Sequence, residues 1–375
     1  MKAQQIGIVC TSTGFGGLEM NTLKLAQWLQ DAGWQVRMLL NEQGETFNRA
    51  EAYCKDIASV QDIGEKTLNK PNATIIKQWL KENNVSILFT PYNKDIAALS
   101  NYKRFKNKHV KLVYQQHMKV GVKKRDLIHT LRYNMLDSWI SPLQYLKQET
   151  IRNTRVPANK ISIIPFGLEA NKYIHNNITK AEARKQLNIS ENVPLIGLLG
   201  RIDPKKEQKF LIQAIDHLKK HYQLDYQLII MGSVTPNEGD AYINSLNALV
   251  NGLGLQDKVH FRDFVADVAP FYKGIDVFAI PSSGETFGMV TIEAMASGCP
   301  IIGTNKDGTQ ELLEHGKLGY LYEYNDLDGF CKQLQSLNQN KQLAIMVQEA
   351  EEAVQHHYTK EVMCEKLNTL LYGLL

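Results

Sequence analysis

Two carboxylates, Glu285 and Glu293, stand eight positions apart in the segment SGETFGMVTIE, residues 283–293. Between them Phe287-Gly288-Met289 reads as the small-residue opening of a helix. The first N–H groups of a helix have no intrahelical acceptor and the helix dipole is positive there, so such a terminus attracts phosphate. Eight helical residues rise about 12 Å, roughly the length of a sugar–diphosphate–ribose unit. One carboxylate would then hold a sugar hydroxyl and the other a ribose. A capped core helix with two incidental glutamates has the same local pattern, and the rest of the chain decides between the two.

Three further places carry residues suited to the same chemistry. Gly200-Arg201-Ile202-Asp203-Pro204-Lys205-Lys206 follows an apolar run. Arg201 offers a planar fork and Lys206 a mobile point charge, a suitable pair for a diphosphate. Thr13-Gly14-Phe15-Gly16-Gly17-Leu18-Glu19 follows the first apolar run, and its glycines let backbone approach a ligand closely. It is not the dinucleotide fingerprint, because the third required glycine falls on Glu19. His117 ends the run Tyr114-Gln115-Gln116-His117.

The elements that must position these residues alternate between strand and helix in both halves, the pattern of a parallel α/β sheet. Short apolar runs bounded by Gly and Pro predict strands at residues 6–10, 36–40, 87–90, 111–114, 139–141 and 161–165 in the first half. In the second half they predict strands at 195–200, 227–231, 259–262, 277–281, 300–303 and 319–322. Leu25, Trp28, Leu29 and Ala32 share one face of a helix over 21–32. The join falls near a polar, Asn-rich stretch beyond Gly167. Two doubly wound, Rossmann-like domains facing across a cleft are expected, at residues 1–168 and 169–357, with a last helix over 358–375 returning to the first. Ligands of such sheets bind at the C-terminal ends of strands.

Taken together, Gly16-Gly17-x-Glu19, His117, Gly200-Arg201 with Lys206, Glu285-x7-Glu293 and Ala294-Met295-Ala296-Ser297-Gly298-x-Pro300 resemble the retaining family 4 glycosyltransferases of GT-B fold. The likeness continues through Gly303, Gly308-Thr309-Gln310-Glu311-Leu312 and Gly316-x-x-Gly319-Tyr320-Leu321, dense in the second half. In the first half it rests on the glycine loop, His117 and Ile164-Pro165-Phe166-Gly167. The resemblance implies transfer of a hexose or N-acetylhexosamine from a nucleoside diphosphate sugar, a UDP-sugar first and GDP-mannose next, to an acceptor hydroxyl. It implies that Arg201 and Lys206 neutralise the diphosphate, that Glu285 and the N–H groups near Phe287-Gly288-Met289 hold the sugar or phosphate, and that Glu293 holds the ribose. Gly16 and Gly17 would close on the diphosphate, and His117 would orient the sugar. No metal or other cofactor is expected. Two departures stand out: Glu207 follows Lys206 where the family carries Gly, and Gln116 and Met118 flank His117 where Gly, Asp or Pro is common.

Composition narrows the alternatives. At 375 residues with 43% hydrophobic and 22% charged residues, the chain fits a two-domain soluble protein. Its five scattered cysteines suit a reduced cytosol, and the short apolar run at its start suits a strand better than an export signal. Asp326-Leu327-Asp328 is a D-x-D string, but Asn325 before it and an apolar helix pattern after it predict cap and first-turn acids rather than metal ligands. Residues 101–133 hold ten Lys or Arg against Asp126, a local +9 in a chain of net +4. Such a field suits an anionic membrane surface or an anionic substrate, a solvated helix face with a Lys-rich loop has the same composition, and the aromatics there are too sparse for a nucleic-acid platform. The expectation is a cytoplasmic enzyme, peripheral at the inner face of the membrane, that works in cell-envelope polysaccharide, lipopolysaccharide or glycolipid synthesis. A nucleotide-sugar epimerase or hydrolase of the same fold, and a non-catalytic two-domain binding protein, are the alternatives.

Overall fold

Runs such as Gln5–Cys10 and Leu195–Leu199 are apolar at nearly every position, so their strands need cover on both faces. The computed structural model describes residues 4–60, 70–83, 85–234 and 240–375. The chain divides into two compact units, Met1–Gly167 with Lys360–Leu375, and Leu168–Thr359.

The first unit carries β1 (Gln5–Cys10), β2 (Gln35–Asn41), β3 (Ile57–Val60), β4 (Ile87–Thr90), β5 (Lys111–Gln115), β6 (Ser138–Ser141) and β7 (Ile161–Ile163). They form one sheet in the order β3-β2-β1-β4-β5-β6-β7, with every described pairing parallel. The second unit carries β8 (Leu195–Leu199), β9 (Gln227–Met231), β10 (Val259–Arg262), β11 (Val277–Ile280), β12 (Ile301–Thr304) and β13 (Tyr320–Tyr322). Their order is β10-β9-β8-β11-β12-β13, again parallel. Helices on both faces make each unit a doubly wound α/β fold. One core joins Val9, Leu39, Leu88, Leu112 and Trp139, and another joins Ile196, Leu228, Phe210 and Phe330.

In each sheet the strand order reverses once, between β1 and β4 and between β8 and β11. The loops leaving the two strands at such a point diverge and open a crevice at their C-terminal ends. The crevices are lined by the loops after Cys10 and Thr90 in one unit and after Leu199 and Ile280 in the other.

The observed strands differ from the expected runs mainly at prolines. Pro165, Pro281 and Pro300 fall just outside β7, β11 and β12, because proline cannot donate to a ladder. The first helix spans Gly17–Asp31 and so starts at the glycine loop itself. The strand β3 was not expected: it is an edge strand in which only Val60 is buried, so no apolar run marks it. Tyr358 and Thr359 belong to the second unit, where Leu168 N–H donates to Tyr358 O at 2.7 Å and Leu168 bridges Thr359. The last helix, Lys360–Leu374, packs on the helix Gly17–Asp31 of the first unit, and Trp34 Nε1 donates to Asn368 at 2.8 Å.

Candidate functional site

The loop after β8 turns immediately. Gly200 N–H donates to Met231 O at 3.0 Å and Ile202 N–H to Ser233 O at 2.9 Å, which ties the loop to the end of β9. The approach requires glycine at 232, where a Cβ would lie 1.8 Å from Gly200 O. Asp203 is buried and accepts from Lys205 N–H at 2.9 Å, fixing a short turn over Pro204–Lys206. Gln208 Nε2 donates to Arg201 O at 2.7 Å. Arg201 itself is exposed, its guanidinium 3.7 Å from Asp203, while Lys206 turns inward.

Lys206 Nζ meets Glu285 Oε1 at 2.5 Å, and Ser282 Oγ donates to the same oxygen at 2.7 Å. This ion pair spans the β8/β11 switch point. Burial alone would raise the Glu285 pKa, but the Lys206 charge, its hydrogen bond and Ser282 bring the carboxyl below its usual range. Under Glu285-Thr286-Phe287 lies Gly308, where a Cβ would come within 2.8 Å of Phe287 O and 2.9 Å of Glu285 O. Gly308 N–H donates to Glu285 O at 3.0 Å, so the helix Asp307–Leu312 supports the segment from below.

The helix that follows spans Met289–Ala296, with Gly288 at its N-cap in the left-handed region (φ 91°) and no side-chain cap. Glu285 therefore precedes the helix and Glu293 lies within it. Phe287 turns its ring into the core against Tyr358, with centroids 6.0 Å apart. Glu293 is half-buried and accepts from Tyr272 Oη at 2.9 Å. Burial and the Glu293 charge raise the pKa values of both Tyr272 and Tyr173. These two tyrosines, together with Ser282, belong to the site, and no spacing in the sequence marks them.

Glu207 neither faces Lys206 nor dangles in solvent. It accepts from the Tyr324 hydroxyl. Its backbone is left-handed (φ 56°, ψ 37°), a conformation that favours glycine and costs another residue about 1 kcal/mol. That accounts for Gly being the family's residue at this position. Of the D-x-D string, Asp326 accepts from Gly329 N–H at 2.9 Å and caps the helix Leu327–Gln339, and Asp328 pairs with Lys332 at 2.6 Å.

In the first unit the glycine loop leaves β1 with Gly14, Gly16 and Gly17 on or near the surface. His117 follows β5 as a half-buried ring 4.5 Å from the Phe166 ring. Its Nε2 is shielded from solvent and meets no protein partner among the described residues, and burial pushes its pKa down to about 3. A neutral ring is therefore held there. Gln116 explains one departure. It is fully buried, accepts from Trp139 Nε1 at 3.0 Å and Thr150 Oγ1 at 3.2 Å, and donates to Met118 O at 3.0 Å. It locks the backbone on both sides of His117, a task that Gly or Pro cannot perform with a side chain.

Comparison with known proteins gives a consistent result. The family description "Glycosyl transferases group 1" matches residues 179–354, and "Glycosyltransferase Family 4" matches residues 15–172. The N-acetyl-alpha-D-glucosaminyl L-malate synthase of Bacillus anthracis is 24% identical over 304 residues, 81% of this chain and 71% of that protein. The GDP-mannose-dependent alpha-(1-6)-phosphatidylinositol monomannoside mannosyltransferase of Mycobacterium tuberculosis is 28% identical over 227 residues. That match takes in 58% of this chain and 57% of the mannosyltransferase, so the chain spans little more than half that relative's length. The crystal structure of Anabaena Alr3699/HepE in complex with UDP superposes with a TM-score of 0.86 at 20% identity, covering 99% of this chain and 100% of that one. At that identity the likeness is one of fold.

Proposed function

The chain belongs to the family 4 glycosyltransferases of GT-B fold, and from that premise we propose that it transfers a hexose or N-acetylhexosamine from a nucleoside diphosphate sugar to an acceptor hydroxyl with retention. The observation that carries the reading is the Lys206–Glu285 pair at the β8/β11 switch point, with Arg201 on the same loop. Breaking a glycosyl–phosphate bond builds negative charge on the departing diphosphate and positive charge on the sugar. Lys206 and Arg201 oppose the first, and a fixed cation in a half-buried site needs no reorganisation to do so. Glu285, kept ionised by Lys206, accepts hydrogen bonds from sugar hydroxyls. Glu293, oriented by Tyr272, accepts from the ribose. His117, neutral and with a ring nitrogen that meets no protein partner among the described residues, orients the reacting sugar.

In this reading no side chain acts as covalent nucleophile. The acceptor oxygen attacks the anomeric carbon on the face the diphosphate leaves. The sugar–phosphate C–O bond breaks, and a diphosphate oxygen takes the acceptor proton. The reaction runs without a metal. A UDP-sugar is the favoured donor, a choice supported by the UDP complex of the Anabaena fold relative. GDP-mannose is next, supported by the mycobacterial relative's donor. The test is a thermal-shift panel of UDP, GDP, ADP and CMP with their sugar conjugates, with and without magnesium, followed by a sugar-transfer assay with the donor that binds. A ligand at 100 times its dissociation constant adds about 2.7 kcal/mol to folded-state stability. One nucleoside diphosphate is expected to shift the melt equally with and without magnesium, and no shift with any of them would sink the reading.

The acceptor side is proposed to work at an anionic membrane, in synthesis of a cell-envelope glycan or glycolipid at the inner face. No helix among the described residues is long and apolar enough to cross a bilayer. The helix Leu127–Asn134 nevertheless exposes Leu127 (74%) and Ile128 (61%), with Leu131, Val122 and Met118 exposed nearby among Lys119, Lys123, Lys124, Arg125 and Arg132. Exposed apolar residues interspersed with cations along the chain suit the lipid headgroup boundary, where each Lys or Arg contributes about 1 kcal/mol. Sedimentation with phosphatidylglycerol vesicles is expected at low salt and is expected to weaken as salt rises. Equal binding to neutral vesicles, or none to anionic ones, would remove this part of the proposal.

A further inference from the structure

The first unit has a polar bridge at its own switch point, and the reaction as proposed uses none of it. Asp95 occupies the N-cap position of the helix Ile96–Phe105 yet makes no side-chain cap. Its buried carboxylate crosses instead from the end of β4 to the end of β1, accepting from Thr11 N–H at 3.0 Å and from the Thr11 hydroxyl. Burial pushes this carboxyl up to about 7, against the pull of the hydrogen bonds from Thr11 and Thr90. Asn41 Nδ2 reaches Thr11 O at 3.4 Å from the end of β2. Gly44 backs onto Ser12, so closely that a Cβ there would lie 2.8 Å from Ser12 O. The root of the glycine loop is thus gripped from beyond the ends of two neighbouring strands, β4 and β2.

The far end of the loop has a second buried carboxylate. Glu19, in the first turn of the helix Gly17–Asp31, is 7% exposed and accepts from Ser12 Oγ at 2.6 Å. Ser12 Oγ in turn accepts from Gly14 N–H at 3.3 Å. Gly14 and Gly16 curl over the Glu19 carboxylate, near enough that a Cβ on either would touch its oxygens at 3.7–3.8 Å. An acid in a first helical turn complements the dipole without being buried. A buried carboxylate is costly unless hydrogen bonds hold it. Here the bond holding it runs to the residue that starts the loop, so the loop closes on itself through Ser12 and Glu19.

We infer that Glu19, through Ser12, is a positioning residue that holds the glycine loop of residues 13–17 in a single shape for the donor, on the foundation of the Thr11–Asp95 bridge. The inference rests on the reading that this loop serves the donor. The experiment separates the two. Hydrogen–deuterium exchange over residues 11–20 measures the hold on the loop whatever the chain transfers. Glu19→Ala and Ser12→Ala are each expected to speed exchange about tenfold or more in the loop, with Glu19→Gln close to wild type because its amide oxygen still accepts from Ser12. Unchanged exchange in Glu19→Ala overturns the inference.

Steady-state transfer kinetics then measure the consequence. A misplaced loop costs about tenfold to hundredfold in kcat, with donor KM moved less. That loss is expected in both alanine variants, is expected to be no greater in the double variant, and is expected to be largely recovered in Glu19→Gln. Losses that multiply in the double variant show two independent effects and overturn the inference, as does kcat within about twofold of wild type. Wild-type protein that transfers no sugar would instead overturn the donor reading, and exchange alone would then decide whether Glu19 holds the loop.

Discussion

Lys206→Ala is expected to lower kcat for sugar transfer by about 10²–10³, the usual cost of deleting one preorganised charge from the transition state. The melting temperature should move little, because Lys206 is partly exposed and its partner Glu285 has a second hydrogen bond from Ser282. Two effects must be kept apart. The deletion removes the cation proposed to face the leaving diphosphate, and it also leaves Glu285 without the charge that keeps it ionised. Its folded pKa would then rise under the burial that Lys206 now offsets. The double variant Lys206→Ala/Glu285→Gln resolves the ambiguity, since it has no carboxylate to neutralise. If the lysine acts on the diphosphate, the double variant is slower than Glu285→Gln alone by a similar factor. If its task is only to pair Glu285, the double variant is no slower than Glu285→Gln alone. A Lys206→Ala enzyme within about tenfold of wild-type kcat would remove the leaving-group role altogether. Lys206→Arg is an informative intermediate. It keeps the charge but replaces a mobile point with a planar fork, so partial activity would show that charge matters more than its shape.

Reading the sequence exposed the scaffold because parallel strands covered on both faces must be apolar at consecutive positions, and β1, β8 and β11 are. It also exposed residues whose type alone suggests chemistry, such as Lys206 and Glu285. What it could not show was which of these meet. Lys206 and Glu285 are 79 positions apart, and their contact depends on β8 and β11 being neighbours across the point where strand order reverses. Tyr272 and Tyr173 stayed hidden for the same reason: one lies in a short helix and the other in the polar stretch at the join, and each reaches Glu293 only through the fold. Glu207 stood out only as a departure from Gly after Lys206, and its left-handed backbone and the Tyr324 hydroxyl show how it is accommodated. The edge strand β3 was silent because a strand with one buried residue has no apolar period to detect.

Arg184 makes the same point in energetic form. The segment Lys180–Leu187, KAEARKQL, reads as a solvated helix, yet Arg184 is 2% exposed. Its guanidinium donates to Gly274 O at 2.9 Å, to Ser190 O at 3.2 Å, to Glu191 O, and to Asp276 Oδ2 at 2.7 Å. Asp276 also accepts from Leu195 N–H at 2.7 Å and pairs with Lys180. One side chain therefore ties the helix to the start of β8 and to the turn before β11. Arg184→Ala leaves three carbonyls without their donor and takes one cation from Asp276. Breaking such a buried pair costs about 3–5 kcal/mol, and the low end applies because Asp276 keeps Lys180 and some solvent. For a unit of this size that is roughly 6–12 °C in melting temperature. The nucleotide affinity of the protein that remains folded should be unchanged, because Arg184 sits at the N-terminal ends of the strands whose C-terminal ends carry Arg201 and Lys206. Scanning calorimetry alongside nucleotide titration would separate the two residues cleanly. Arg184→Ala moves the melt and spares the ligand, while Lys206→Ala spares the melt and slows the chemistry. A melting temperature lowered by less than about 2 °C would mean that the carbonyls find water in place of the guanidinium and that the helix is held by its apolar face alone.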